Sequence, residues 1–216
     1  MENLDISKVV ITFVVFLFST SCHEAAHATM AYWWGDTTGR DAGQMSLNPL
    51  PHIQREPFGM LLLPLLMLFQ SGGSMLMGWA STPVNPSQMR DVKWGSFWTS
   101  AAGPLMNMFL AIVFLVLLKV AGTSVGASLG DMRDAVEMFL WTGVWLNIVL
   151  TVLNFLPIPS LDGGNMLEVF LPYQAAQLYA QVRPFGFMIL MVLGMTGMFS
   201  QLVRPLVQLA AMSVAR

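Results

Sequence analysis

Residues Lys8–Trp34 read KVVITFVVFLFSTSCHEAAHATMAYWW. After Lys8 the only charged side chain in this run is Glu24. The stretch therefore predicts one helix ~40 Å long, enough to cross a hydrocarbon core of ~30 Å with some tilt. His23-Glu24-Ala25-Ala26-His27 lies inside it, ~22 Å along the axis from Lys8 and so at membrane depth. Helix positions i and i+4 share a face, so both imidazoles can hold one metal ion, with Glu24 beside them to move protons. Polar residues packed between helices are the plainer reading. Three titratable groups within two turns are costly to place in a membrane span, however, and such groups are functional by default. A soluble zinc-peptidase helix could carry the same motif, but the apolar run ahead of it argues for a membrane.

Composition agrees. The 216-residue chain is 55% hydrophobic and 10% charged, with mean hydropathy +0.62. Soluble domains carry about 25% charged residues, so this is an integral membrane protein. A formal net charge of -2 gives no reason to expect nucleic acid as a partner. Cys22 is the single cysteine, which excludes an intrachain disulfide; it points away from the His23/His27 face and reads as a packing residue. Glu2 and Asp5 oppose Lys8 at the N-terminus, unlike a cleavable signal, so the first helix is expected to stay in the mature protein.

After the first helix, Gly35–Pro57 is too interrupted by glycine and proline for a helix, and Gly43–Leu47 predicts a short strand or hairpin. His52 lies here between Pro51 and Pro57; a lone loop histidine is more often just solvated than functional. Phe58–Trp79 predicts a second span, kinked at Pro64 and Gly72-Gly73. Trp79 and Trp94 bracket a proline-rich interfacial turn. Gly95–Val120 predicts a third span, with Ala101-Ala102-Gly103-Pro104 for close helix approach and Asn107 inside it. Gly122, Gly126 and Gly130 fall in the connector Ala121–Asp134 and read as flexibility. Ala135–Leu156 predicts a fourth span. Pro157 and Pro159 stop it, so Asp162 arrives on unwound chain as a cap, a turn residue or a metal ligand. Phe185–Leu209 predicts a last span whose end is blurred by Arg204-Pro205. The expected fold is an all-α polytopic membrane protein of about five transmembrane helices, with a small β-strand/loop element after the first, in one domain over residues 1–216. Lys8, Arg90, Lys93 and Arg183 then oppose Arg40, Arg55, Lys119, Arg133, Arg204 and Arg216, too even a split to set orientation.

Two histidines and a carboxylate leave one position of zinc open, as in hydrolytic sites. Zinc there acidifies water and polarises a carbonyl, and Glu24 can take the proton and pass it to the leaving amine. Nitrogen plus carboxylate donors favour zinc over magnesium or calcium. Three histidines are too few for a two-iron membrane oxygenase, and there is no cysteine pair for haem attachment.

These residues resemble the site-2 protease family of intramembrane zinc metalloproteases. His23-Glu24-Ala-Ala-His27 is similar to its metal motif, and Leu161-Asp162-Gly163 to its Leu-Asp-Gly motif, with Asn154 in the Asn-x-x-Pro-x-x-Pro-x-Asp pattern before it. Ser46-Leu47-Asn48-Pro49-x-x-His52-Ile53, Gly78-Trp79 to Pro86, and Ala102-Gly103-Pro104-x-x-Asn107 match further segments. The loop departs from the usual His-Ile-Asp-Pro-x-Gly, reading His52-Ile-Gln-Arg-Glu56-Pro57-Phe-Gly59, and Ser160 stands where proline is common. The resemblance implies Zn2+ held by His23, His27 and Asp162, with Glu24 catalytic. It implies cleavage of single-pass transmembrane helices, such as an anti-sigma factor or a remnant signal peptide, in a bacterial cytoplasmic membrane, with lipid around the protein and scope for a regulatory or oligomeric partner. An edge strand in Gly43–Ile53 would pair with an unwound substrate, and His52 and Asn154 would hydrogen-bond the scissile region or the developing oxyanion. The chain looks like a minimal form without a PDZ or nucleotide-sensing domain. Two other readings remain at this point: a non-catalytic metal-holding scaffold or carrier of the same fold, and a metallohydrolase acting on lipid or prenylated peptide.

Overall fold

The structure is a computed structural model that describes residues 5–123 and 130–214. Glu2, Gly126 and Arg216, weighed above, lie outside the described residues. Helix α1 runs Ile6–Trp34. Asp5 caps its start by accepting from the Lys8 amide at 3.1 Å, and Gly35 ends it in the left-handed region, φ 109°. Two short helices follow, α2 (Thr38–Asp41) and α3 (Pro49–Arg55), then a π-helical turn at Phe58–Leu62 leading into α4 (Leu63–Gln70). The long helices α5 (Val92–Ala121) and α6 (Arg133–Phe155) come next, then α7 (Asp162–Glu168), α8 (Tyr173–Val182), α9 (Gly186–Met195) and α10 (Met198–Val214).

The centre is a bundle of α1, α5 and α6, with α7 and α10 packed against it. Its burial pattern departs from a soluble protein's in carrying polar side chains among the buried apolar ones and apolar side chains outside. Ser19, His23, Glu24, His27, Asn107 and Asn147 are buried, whereas Val10, Val14 and Phe18 on α1 and Phe109, Ile112 and Val116 on α5 are exposed at helical spacing. Outward apolar faces with an inward polar stripe fit a protein surrounded by lipid. Packing inside the bundle depends on small residues: a β-carbon on Gly143 would meet the Phe114 ring at 2.5 Å, and Phe114 stands edge-on to Phe18 and Phe139.

Four helical stretches are long and apolar enough to cross a membrane: Ile6–Trp34, Val92–Ala121, Gly130–Phe155 and Tyr173–Met195. Phe58–Trp79, expected as a span, is built differently. The π turn places Leu63 on the Phe58 carbonyl, which accommodates Pro64 one residue later. The helix stops at Gln70, and Gly72 and Gly73, φ 61° and 85°, reverse the chain. The segment then returns without regular structure as far as Asn85. The excursion reaches the start of α1, where Lys8 Nζ donates to Ser74 Oγ at 3.2 Å, and comes back past Glu24, whose carbonyl accepts from Thr82 Oγ1 at 3.0 Å. Its return ends beside its departure: the Asn85 amide donates to Asp36 Oδ2 at 2.6 Å, and the Arg90 amide to the Trp34 carbonyl at 2.8 Å. Arg40, stacked over the Tyr32 ring, and Arg90, whose amide bonds Trp34, therefore lie together at the C-terminal end of α1, which alters the charge division expected from a simple span.

Two further expectations change. Gly43–Leu47 is not a strand; among the described residues there is none. Gly43 takes φ 73°, and Asn48 caps α3 by accepting from the Leu50 amide at 3.0 Å. Pro49 and Pro51 fall in the first turn of α3, where an amide proton has no helical partner to lose. The last apolar stretch is broken at Gly197, φ 70°, while Pro205 sits within α10.

Candidate metal centre

His23, Glu24 and His27 occupy the buried middle of α1, with one ligand atom from each within 4.8 Å of the others. Asp162 joins them from the first turn of α7: the proline break unwinds the chain only as far as Leu161, and Asp162 itself is helical where unwound chain was expected. Its Oδ2 lies 3.2 Å from His23 Nε2 and its Oδ1 3.4 Å from His27 Nε2. Two glycines make this approach: a β-carbon on Gly163 would meet the Phe155 and Leu156 carbonyls at 2.5 Å, and one on Gly164 would strike the Ile158 carbonyl. Only unsubstituted backbone folds α7 so tightly under the end of α6.

The rings are oriented from α5. His27 Nδ1 lies 2.6 Å from the Thr99 carbonyl, which can only accept, so Nδ1 carries the proton. His23 Nδ1 lies 2.6 Å from Asn107 Oδ1, the same arrangement. Both Nε2 atoms are then bare lone pairs, and they face each other at 2.9 Å with the Asp162 carboxylate beside them. Three acceptors converging in a buried site repel one another unless a cation lies among them. Two imidazoles with outward Nδ1 hydrogen bonds and one carboxylate form a zinc donor set, so the residues present fit that metal. Glu24 differs from Asp162: among the described residues no protein group hydrogen-bonds its carboxylate, and it lines the adjoining cavity.

That cavity has a volume of about 1400 Å³. It is walled by α1, α5, α6 and α9 and by the returning segment at Met75–Thr82. Asn154 is in its wall, with its side-chain nitrogen donating to the Leu150 carbonyl at 3.0 Å. His52 is not; it sits in α3, 1% exposed, with Nε2 donating to the Ser46 carbonyl at 2.8 Å. It braces the loop instead of facing the metal residues. A second cavity of about 360 Å³ between α5, α6 and α10 contains no titratable group and offers no such chemistry. The site's supports Thr99 and Asn147 carried no sequence role, and Asn107 only a motif match. A polar residue inside an apolar span is the one signal that marks Asn147.

The profile of Peptidase family M50 matches residues 127–197, which include Asn154 and Asp162. "Putative zinc metalloprotease YwhC" of Bacillus subtilis (strain 168) is 31% identical over 204 residues, covering 94% of this chain and 88% of the relative. Two proteins named Rip2 with the same descriptor are also similar. That of Mycolicibacterium smegmatis is 29% identical over 187 residues, 84% of this chain and 65% of its own length. That of Mycobacterium tuberculosis (strain H37Rv) is 31% identical over 182 residues, 82% of this chain and 64% of its own. No solved structure matches the chain.

Proposed function

The chain belongs to peptidase family M50, and from that premise we propose that it cleaves single-pass transmembrane helices within the bilayer. It is a zinc metalloendopeptidase and an integral membrane protein. The observation that carries the finer reading is the depth of the site: His23 and Glu24 lie in the middle of a 29-residue membrane helix, facing a cavity large enough for an unwound peptide.

Zinc, when bound, supplies Lewis acidity, acidifying water and polarising a carbonyl. His23, His27 and Asp162 are the residues that hold it. Glu24 accepts the proton of the attacking water and returns it to the leaving amine, and its freedom from protein hydrogen bonds leaves it available for both transfers. A scaffold would need only the three ligands, so this unengaged carboxylate favours the enzyme. A helical substrate has its own amides satisfied and must unwind before attack. The segment Met75–Thr82 takes the place of the pairing edge that Gly43–Ile53 was expected to give: it is irregular chain lining the cavity. Its backbone between the Met75 and Trp79 amides, which are held by Ser71 and the Gly59 carbonyl, would pair with an unwound substrate. Asn154, in the cavity wall, would contact the peptide, whereas His52 would act through the loop it braces. Candidate substrates are membrane anti-sigma factors and remnant signal peptides, in a bacterial cytoplasmic membrane.

Co-expression with tagged single-pass helices tests this. Glu24→Gln should abolish cleavage, a loss on the order of 10²–10⁴-fold, with zinc content kept. Equal cleavage by parent and variant would remove Glu24 from the mechanism.

A further inference from the structure

His23 presents a lone pair to the metal only when its proton is on Nδ1, and the selection of that tautomer can be followed through the bundle. The Gly143 carbonyl on α6 can only accept. Asn147 Nδ2 lies 2.9 Å from it and 2.9 Å from Ser19 Oγ, so both amide protons of Asn147 are committed. Asn147 Oδ1 therefore accepts, and it takes Asn107 Nδ2 at 2.9 Å. Asn107 Oδ1 is left facing His23 Nδ1 at 2.6 Å, and the ring must donate. Turning Asn147 over would set its oxygen against the Gly143 carbonyl. It would also invert every bond after it, leaving a proton on His23 Nε2 towards Asp162 and His27. Both asparagines are fully buried, so no water substitutes for a lost partner.

We propose that Asn147 is a positioning residue for the metal centre: it fixes the orientation of the Asn107 amide and, through it, the tautomer of His23. This rests on reading His23 as a ligand. Ser19, one turn before His23 on α1, closes the circuit but does not set its direction, because its hydroxyl can donate or accept.

The test uses purified, metal-stripped full-length protein titrated with zinc against a chromophoric chelator. Asn147→Leu should weaken zinc binding about tenfold to a hundredfold and shift the visible absorption of the cobalt-substituted protein. Ser19→Ala should cost clearly less than Asn147→Leu, because the Gly143 carbonyl still sets which way the Asn147 amide turns. Adding Asn107→Asp to Asn147→Leu should recover most of the affinity, because a carboxylate accepts from Nδ1 whichever way it turns. Parent-like affinity in folded Asn147→Leu overturns the proposal, and so does a loss that Asn107→Asp fails to restore, since that describes packing alone. If Asn147→Leu does not fold, ring-nitrogen NMR of the metal-free parent decides: a proton on His23 Nδ1 supports the proposal and one on Nε2 overturns it. Undiminished zinc binding by His23→Ala would remove the ligand reading itself, a failure seen without touching Asn147.

Discussion

Gly103 on α5 stands so close to His23 that a β-carbon on it would lie 2.6 Å from Nε2 and 2.5 Å from Cε1. Its small size, legible in the sequence as a place for close helix approach, here serves two imidazoles. Gly103→Ala improves helix propensity by roughly 0.5–1 kcal/mol while placing a methyl group where the ligand atoms converge. The expected outcome is undiminished helicity by circular dichroism with zinc content close to zero by metal analysis. Full zinc content in that variant would show that the rings can swing aside and that the crowding is not a constraint.

Asp162 and Glu24 are both carboxylates near the same nitrogens, and zinc retention separates them. Asp162→Ala should weaken zinc binding at least about tenfold, whereas Glu24→Gln should bind like the parent. The reverse pattern in a chelator competition would exchange their roles.

Thr37 and Gln88 test the path of the chain. The Thr37 amide donates to Gln88 Oε1 at 3.3 Å, so both lie at one membrane surface, whereas an uninterrupted span at Phe58–Trp79 would put them on opposite sides. Single cysteines at these positions, in a Cys22→Ala background, should react with a membrane-impermeant maleimide from the same side. Labelling from opposite sides would restore the simple span.

Ser160 has φ 98°, a left-handed backbone that costs a residue with a β-carbon roughly 1–2 kcal/mol. Ser160→Gly should raise the thermal midpoint in detergent. Ser160→Pro should lower it, because the pyrrolidine ring holds φ near about −65°, even though proline is common at this place in the family the sequence resembles. A stabilised proline variant would refute the backbone assignment.

The sequence made α1, α5 and α6 legible because long uncharged runs have one reading in a membrane, and it made His23, Glu24 and His27 legible because i, i+4 spacing is a geometric statement. Asp162 was approachable through Pro157 and Pro159, which forced unwound chain. The path of residues 58–85 was not legible: apolar content reports the solvent, not the direction, and the reversal depends on Gly72 and Gly73 taking positive φ. The helix α3 was hidden by counting Pro49 and Pro51 as breakers when both fall in a first turn behind the Asn48 cap. Asn147 was hidden for another reason. Its partners lie on other helices, and no spacing along the chain encodes them.

The residues proposed to hold the metal are divided between the first membrane helix and the short helix that follows α6. A chain emerging from the ribosome therefore carries His23 and His27 into the membrane long before Asp162 exists to join them. On the reading proposed above, the donor set is incomplete until α7 has folded under the end of α6, and Glu24 until then stands beside two histidines alone. On that reading, assembly order would act as a safeguard: a nascent chain surrounded by other inserting helices would be inert until synthesis has passed α7.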